Sequence, residues 1–138
     1  MYPEEIVKPC RSQLTDHGFT SLESAAEVEN FMQDNQSGTI LMVVNSVCGC
    51  AAGSARPGVL KSLQADKKPT KTATVFAGVD KDATQSARDF MLPYPPSSPS
   101  IALFKDGKLV HFIERHMIEG RSADMIAEHL KACYEEFC

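Results

Sequence analysis

The sequence predicts an α/β fold in which a central mixed sheet is flanked by helices and preceded by extra N-terminal helices. Residues 39–44 form an apolar run of the kind found in a strand that is covered on both faces. From this run onward, segments with strand and helix patterns alternate, and the last two strand segments flank Asp106-Gly107, a hairpin-turn signal. The length of 138 residues suits a single domain over residues 1–138.

Two helices are predicted before the first strand. The first has apolar residues at four-residue intervals, namely Ile6, Cys10 and Leu14. Pro9 has to open or kink any helix in this segment. The second begins at a capping box formed by Ser24 and Glu27, which an apolar stripe follows.

After the first strand, the predicted elements follow in the order helix, strand, helix, strand, strand, helix. They are a helix over residues 51–64, a strand over 72–77, a helix over 81–92, strands over Ser100–Lys105 and 109–113, and a last helix capped by Ser122. Pro57 is expected to kink the first of these helices. The first two strands should be parallel and joined by a right-handed helical crossover, whereas the last pair should be antiparallel.

Two thiols, Cys48 and Cys50, lie one residue apart between the first strand and a helix start. The helix N-terminus should lower the pKa of a thiol placed there, and the thiolate is the form that attacks disulfides. Cys48 follows the strand end and should be the more exposed, whereas Cys50 should lie partly under the helix. We therefore predict Cys48 as the nucleophile and Cys50 as the resolving or modulating thiol. Arg56 is the one charged residue close by in sequence, so the helix terminus is the expected source of thiolate stabilisation.

The spacer Gly49 is shorter than the two-residue spacer of many redox dithiols. A Cys48–Cys50 disulfide would close an eleven-membered ring, which strains its geometry and raises its reduction potential. Gly49 gives the backbone its best chance of accommodating that turn. We expect a potential above about −270 mV, a value found for a reducing dithiol with a two-residue spacer.

Composition excludes several function classes. The net charge of −4 argues against a nucleic-acid partner, and no apolar run approaches the ~20 residues of a membrane span. The N-terminus lacks the basic and apolar regions of a signal peptide, so we expect a cytoplasmic protein. Five cysteines in a reducing compartment indicate catalysis or metal binding more than structural disulfides.

Metal binding is the main alternative. Cys48 and Cys50 could join Cys133 and Cys138, or one of the four histidines, around a zinc or copper ion. The one-residue spacing departs from common zinc patterns, and strand alternation should point His111 and the nearby His116 to different places. Cys133 is interpreted as a buried core residue.

The order of elements, with a dithiol at the end of the first strand, resembles the thioredoxin arrangement. A second likeness is the segment Pro96-Ser-Ser-Pro-Ser-Ile-Ala-Leu-Phe-Lys-Asp-Gly, which resembles the one that carries the thioredoxin cis proline. The resemblance implies that Pro99 is this proline, that the Ser98–Pro99 bond is cis, and that Pro99 lies against the active-site sulfurs. The sequence departs from thioredoxin in having Cys-Gly-Cys where thioredoxin has Cys-x-x-Cys.

The active-site segment Val-Val-Asn-Ser-Val-Cys-Gly-Cys-Ala-Ala-Gly and three further stretches closely resemble the bacilliredoxin family over nearly the whole chain. The three stretches are Phe76-Ala-Gly-Val-Asp-Lys, Ser97-Ser-Pro-Ser and Val110-His-Phe-Ile-Glu-Arg-His. The resemblance implies removal of bacillithiol from mixed disulfides on cytosolic proteins, with an associated disulfide isomerase-like activity. It implies S-bacillithiolated client proteins as partners and bacillithiol as thiol co-substrate, with no bound cofactor or metal. The oligomeric state stays open.

Overall fold

A computed structural model describes residues 2–138 and contains a five-stranded mixed sheet between two layers of helices. The strands are β1 (Thr20–Ser21), β2 (Thr39–Asn45), β3 (Lys71–Phe76), β4 (Ser100–Lys105) and β5 (Lys108–Ile113). The helices are α1 (Glu4–Thr15), α2 (Ala25–Asp34), α3 (Arg56–Ser62), α4 (Lys81–Asp89), α5 (Arg115–Ile118) and α6 (Ala123–Phe137). A π-helical turn, Ala51–Ala55, leads directly into α3.

The sheet has the strand order β1-β3-β2-β4-β5, which places β2 at its centre. Strand β2 is parallel to β3 and antiparallel to β4, and β4 pairs antiparallel with β5, as predicted. All seven residues of β2 are buried, and its side chains alternate between two apolar cores. One core includes α2 and α4, and the other includes α1, α3 and α6. The chain therefore leaves β2 in the middle of the sheet, where the dithiol follows.

The two predicted N-terminal helices are present, and a short strand separates them. Pro9 lies inside α1, and the Ser24 hydroxyl accepts the backbone N–H of Glu27 at 3.1 Å as the capping box predicts. The predicted stripe of α1 is partly wrong, because Ile6 is 48% exposed while Val7 is fully buried. The two-residue strand β1 is too short to leave a periodic pattern.

The predicted helix over residues 51–64 is divided into the π-helical turn and α3. Proline has no N–H to donate, so Pro57 cannot make the regular bond to the carbonyl four residues earlier. The wide turn before it is the form that the expected kink takes. Gly58 then allows close packing, since a Cβ there would come within 2.7 Å of the Ile126 Cβ on α6.

The remaining elements follow the prediction with changes at their ends. Helix α4 ends at Asp89 and not at residue 92, although Met91 is still buried. Asp106 and Gly107 have φ values of 50° and 81°, the left-handed pair that a two-residue hairpin turn needs. The Ser122 hydroxyl accepts the N–H of Met125 and caps α6 as predicted, whereas the four-residue α5 was not predicted.

Candidate active site

Cys48 and Cys50 lie where the chain passes from the centre of the sheet into helical structure. The Cys48 carbonyl accepts the backbone N–H groups of Ala51 and Ala52 at 3.1 and 3.2 Å, which are the first helical bonds. All five cysteines of the chain are free thiols. Both active-site thiols are half-buried, so exposure alone does not separate them. Cys50 packs against the core beneath α3 and α6 as predicted, whereas Cys48 stands at the helix start.

Gly49 is exposed between the two thiols. Its φ lies outside the left-handed region, and a Cβ at this position would have no heavy atom within 4 Å apart from those of its neighbours Cys48 and Cys50. The dithiol form therefore does not need glycine for its backbone conformation, and the expected role in a closed disulfide stays a prediction. As a glycine, this exposed residue adds no side chain to the surface between the two thiols.

Ser46 is the nearest polar partner of the Cys48 sulfur. Its hydroxyl donates to Cys48 Sγ at 3.2 Å and also accepts the Cys48 backbone N–H at 3.3 Å. Partial burial acts to raise the pKa of the Cys48 thiol. The Ser46 hydrogen bond, the backbone N–H groups of Ala51 and Cys50, and the charge of Arg115 outweigh this effect, so the pKa lies below its ordinary value. The helix start thus contributes as predicted, whereas the Ser46 hydrogen bond, the largest single influence that lowers this pKa, was not predicted.

Arg56, the one charged residue close to the dithiol in sequence, is not among the groups that act on the Cys48 thiol. Its side chain is only 3% exposed, and its guanidinium donates to Asn45 Oδ1 at 2.9 Å and to the Ser46 carbonyl at 2.7 Å. It also donates to Gln13 Oε1 on α1 at 2.7 Å. Asn45 Oδ1 in turn accepts the Ser46 N–H at 2.8 Å. This network fixes the backbone of Ser46, whose hydroxyl donates to the Cys48 sulfur.

Arg115, at the start of α5, is the charged group that acts on the dithiol. It is exposed, and its positive charge interacts with both Cys48 and Cys50. Its guanidinium donates to the Ser98 carbonyl at 3.2 Å and to Glu119 Oε1 at 2.6 Å. Arg115 belongs to a stretch that carries the family resemblance, but no feature of the sequence assigned it a role.

The segment before β4 has the predicted backbone. The Ser98–Pro99 peptide bond is cis, and a second cis bond, which was not predicted, joins Leu92 to Pro93. Arg115 ties this segment to the thiol side of the molecule, because its backbone N–H donates to Ser97 Oγ at 2.7 Å and its charge reaches Cys48. Direct contact of Pro99 with the sulfurs stays a prediction.

The structure does not bring together the metal ligands that the alternative interpretation placed around the dithiol. Cys138 Sγ lies 3.6 Å from Thr39 Oγ1 at the start of β2, whereas Cys48 follows the end of that strand. Seven strand residues span roughly 20 Å, so these thiols cannot share an ion. Across residues 2–138, the side chains grouped closely enough to hold a metal are His111, His129 and Cys133, and neither active-site thiol is among them. His116 is exposed and takes no part, in line with the expectation that it diverges from His111.

A thioredoxin-type sheet that carries paired thiols at the end of its central strand defines a thiol–disulfide oxidoreductase. The chain is similar in structure to thioredoxin from Fasciola hepatica, with a TM-score of 0.60 and 18% identity over 87% of this chain and all of that one. The disulphide isomerase family model matches residues 2–138. The chain therefore belongs to this family, and the curated relatives that it matches include bacilliredoxins.

Two of these relatives match over almost their whole length. A bacilliredoxin from Cytophaga hutchinsonii is 62% identical over 136 residues, which cover 99% of each chain. A bacilliredoxin from Halalkalibacterium halodurans is 49% identical over 137 residues, which cover 99% of this chain and 94% of the relative. None of the helices within residues 2–138 combines the length and the apolar character needed to cross a bilayer.

Proposed function

We propose that the protein removes bacillithiol from mixed disulfides on cytoplasmic client proteins, with Cys48 as the attacking thiol. The observation that carries this proposal is the environment of the Cys48 sulfur. It accepts a hydrogen bond from Ser46, lies at a helix start under the positive charge of the exposed Arg115, and is followed in the chain by the exposed Gly49. These features favour a thiolate at a surface that a protein disulfide can approach. The bacilliredoxin relatives support bacillithiol as the transferred group.

The proposed reaction begins with attack of the Cys48 thiolate on the bacillithiol sulfur of the mixed disulfide. The client cysteine leaves as a thiolate and takes up a proton, while bacillithiol becomes disulfide-bonded to Cys48. Two routes can then restore a free Cys48. Free bacillithiol can attack the adduct and leave as bacillithiol disulfide, or Cys50 can attack Cys48 and release bacillithiol. The second route oxidises the pair to a disulfide, which an external thiol must then reduce.

Cys50 is proposed as the resolving or modulating thiol. Its side chain packs against the core that contains α3 and α6, and its place two residues after Cys48 keeps it close to the adduct. The small ring disfavours the Cys48–Cys50 disulfide, which favours transfer of the bacillithiol group over thioredoxin-like reduction.

The test uses a client protein carrying a single bacillithiol mixed disulfide, with release of the free client followed by intact mass. Cys48→Ala should abolish release. Cys50→Ala should still attack and accumulate the bacillithiol adduct on Cys48. Cys10→Ala, which changes a half-buried thiol on α1, is the matched control and should behave as the wild type.

The same client carrying glutathione gives the comparison for the transferred thiol. Faster release from the bacillithiol form supports the proposal, whereas equal rates show a general thiol transferase. Equal loss of activity in Cys48→Ala and Cys50→Ala, or full activity without Cys48, contradicts the assigned roles.

A disulfide isomerase activity is the second candidate, and the family to which the chain belongs favours it. In this reaction Cys48 would attack a protein disulfide, and the freed client thiol would attack a different sulfur to complete the exchange, with no net change in oxidation. Recovery of activity by a scrambled disulfide protein measures it. Cys50→Ala should retain isomerisation, because the reaction needs a single attacking thiol.

A further inference from the structure

Three side chains with metal-ligating atoms meet at a place separate from the dithiol. His111 comes from β5, and His129 and Cys133 come from α6. One ligand atom of each lies within 4.8 Å of one ligand atom of each of the others. His129 and Cys133 are four residues apart in the helix, so they lie on the same face, one turn above the other. The three residues line one surface cleft together with Glu136.

A β-bulge brings His111 to this cleft. The pairing of β4 with β5 passes from Phe104↔Leu109 to Leu103↔His111, which leaves Val110 without a partner. Val110 packs against the core that contains α6, and His111 is opposite Leu103, whose side chain lies in the same core. Two consecutive side chains therefore point to the same face, which regular alternation would forbid. Bulges often redirect a side chain in this way beside functional sites.

The two imidazoles are directed at each other. Their Nε2 atoms lie 2.9 Å apart, with the rings tilted by 59°. Tetrahedral zinc with Zn–N bonds of about 2.0–2.1 Å needs ligand nitrogens about 3.3 Å apart, so these nitrogens must separate by only a few tenths of an ångström. Zn–S bonds of about 2.3 Å place sulfur and nitrogen less than about 4 Å apart, and the three ligand atoms already lie within 4.8 Å of one another.

We propose that His111, His129 and Cys133 form a binding site for a zinc-type divalent cation. Imidazole nitrogen and thiolate sulfur are both ligand atoms that zinc binds in proteins, and Glu136 or a water molecule would supply the fourth ligand. On binding, Cys133 loses its thiol proton to solvent. The imidazole that donates in the His111–His129 hydrogen bond carries its proton on Nδ1 instead, so that both Nε2 lone pairs face the ion.

The site is separate from the dithiol and does not depend on the proposed redox function. His111 on β5 pairs with Leu103 on β4, which pairs in turn with Leu41 near the start of β2. Cys48 lies beyond the other end of that strand, on the order of 13 Å or more away along the sheet. A bound ion would fasten the edge strand β5 to α6 and would keep Cys133 out of thiol exchange.

The test measures zinc binding to the full-length, metal-free protein by competition with a chromophoric chelator, and the absorption spectrum of the cobalt(II) form. The wild type should bind one zinc ion, and cobalt should give tetrahedral bands with a thiolate charge-transfer band. His129→Gln and Cys133→Ser should each weaken zinc binding at least tenfold, and Cys133→Ser should remove the charge-transfer band. Cys48→Ser with Cys50→Ser, and His116→Gln at an exposed histidine, are the controls that should keep binding.

Peptide-resolved alkylation of the wild type provides a measurement that needs no variant. Zinc should protect Cys133 from alkylation and leave Cys48 reactive. Protection of Cys48 and Cys50, with binding lost in the Cys48→Ser, Cys50→Ser protein, would assign the ion to the dithiol and overturn the proposal. Absence of zinc binding by the wild type at micromolar concentrations would also overturn it.

Discussion

Replacing Ser46 with alanine tests the origin of the activated thiol. The Ser46 hydroxyl is both the donor to Cys48 Sγ and the acceptor of the Cys48 N–H, so one substitution removes both bonds. The helix start and Arg115 stay in place. Ser46→Ala should therefore raise the pKa of Cys48 without removing the remaining influences that lower it.

The size of the effect follows from the hydrogen bond to the thiolate. A hydrogen bond to a charged group contributes about 1.5–3 kcal/mol when it is shielded from water. Cys48 is only half-buried and the bond is 3.2 Å long, so solvent screening reduces this to about 1 kcal/mol. Since 1.36 kcal/mol corresponds to a factor of ten, the thiolate population at a fixed pH below the pKa should fall about fivefold.

Thiolate absorbance against pH, with Cys48→Ala as the blank, measures this change directly, and iodoacetamide alkylation at a fixed pH checks it. Ser46→Thr should restore the hydroxyl and most of the effect. Ser54→Ala is the matched control, because its hydroxyl donates to the Arg121 carbonyl and does not contact Cys48. An unchanged titration in Ser46→Ala would show that the helix start and Arg115 set the pKa by themselves.

Three further predictions concern the surroundings of the dithiol. Arg56→Met should lower the free energy of unfolding by about 1–3 kcal/mol, because buried acceptors lose a donor. Lys61→Met, in an exposed ion pair, is the control and should lower it by clearly less. Urea titration measures both losses, and equal losses would contradict the buried network. Because the pKa of Cys48 is lowered in the native state, there is a pH range between that pKa and the ordinary thiol pKa of about 8.5. In this range the native state binds fewer protons than the unfolded state. The free energy of unfolding should therefore rise with pH through this window, and this contribution should be lost as the pH falls through the native pKa. Unfolding measured under anaerobic conditions at several pH values should show a weaker pH dependence in Cys48→Ala than in the wild type. Identical pH dependences would show that Cys48 ionisation does not contribute to stability. Inserting one residue after Gly49 should relieve ring strain and lower the reduction potential measured against a glutathione buffer, and an unchanged potential would mean that the spacer does not set it.

The fold was predictable largely because its signals are local. The apolar run of β2, the Asp106-Gly107 turn and the Ser24 and Ser122 caps each depend on residues that are adjacent in sequence. The dithiol and its helix start are local for the same reason. Strand β1 and helix α5 are too short for a periodic pattern to register.

The charged surroundings of the thiol could not be predicted in the same way. Arg56 is close to Cys48 in sequence, but its side chain turns toward β2 and α1 because Asn45, Ser46 and Gln13 offer it buried acceptors. Arg115 is distant in sequence and comes near the thiols only because β5 returns the chain to that end of the sheet. Closeness in sequence therefore predicts that two backbone segments are near each other, but it does not predict where the end of a long side chain lies.

The link between α1 and the end of β2 limits how far this active site can be separated from the rest of the chain. Asn45 Nδ2 donates to the Cys10 carbonyl at 3.0 Å, and Arg56 reaches Gln13, so the first helix holds the two residues that position Ser46. Transplanting Cys-Gly-Cys into a scaffold without this helix would transfer the sulfurs but not the support that tunes them. A minimal engineered version of the protein must therefore retain α1, and sequence change in the two parts is expected to be coupled.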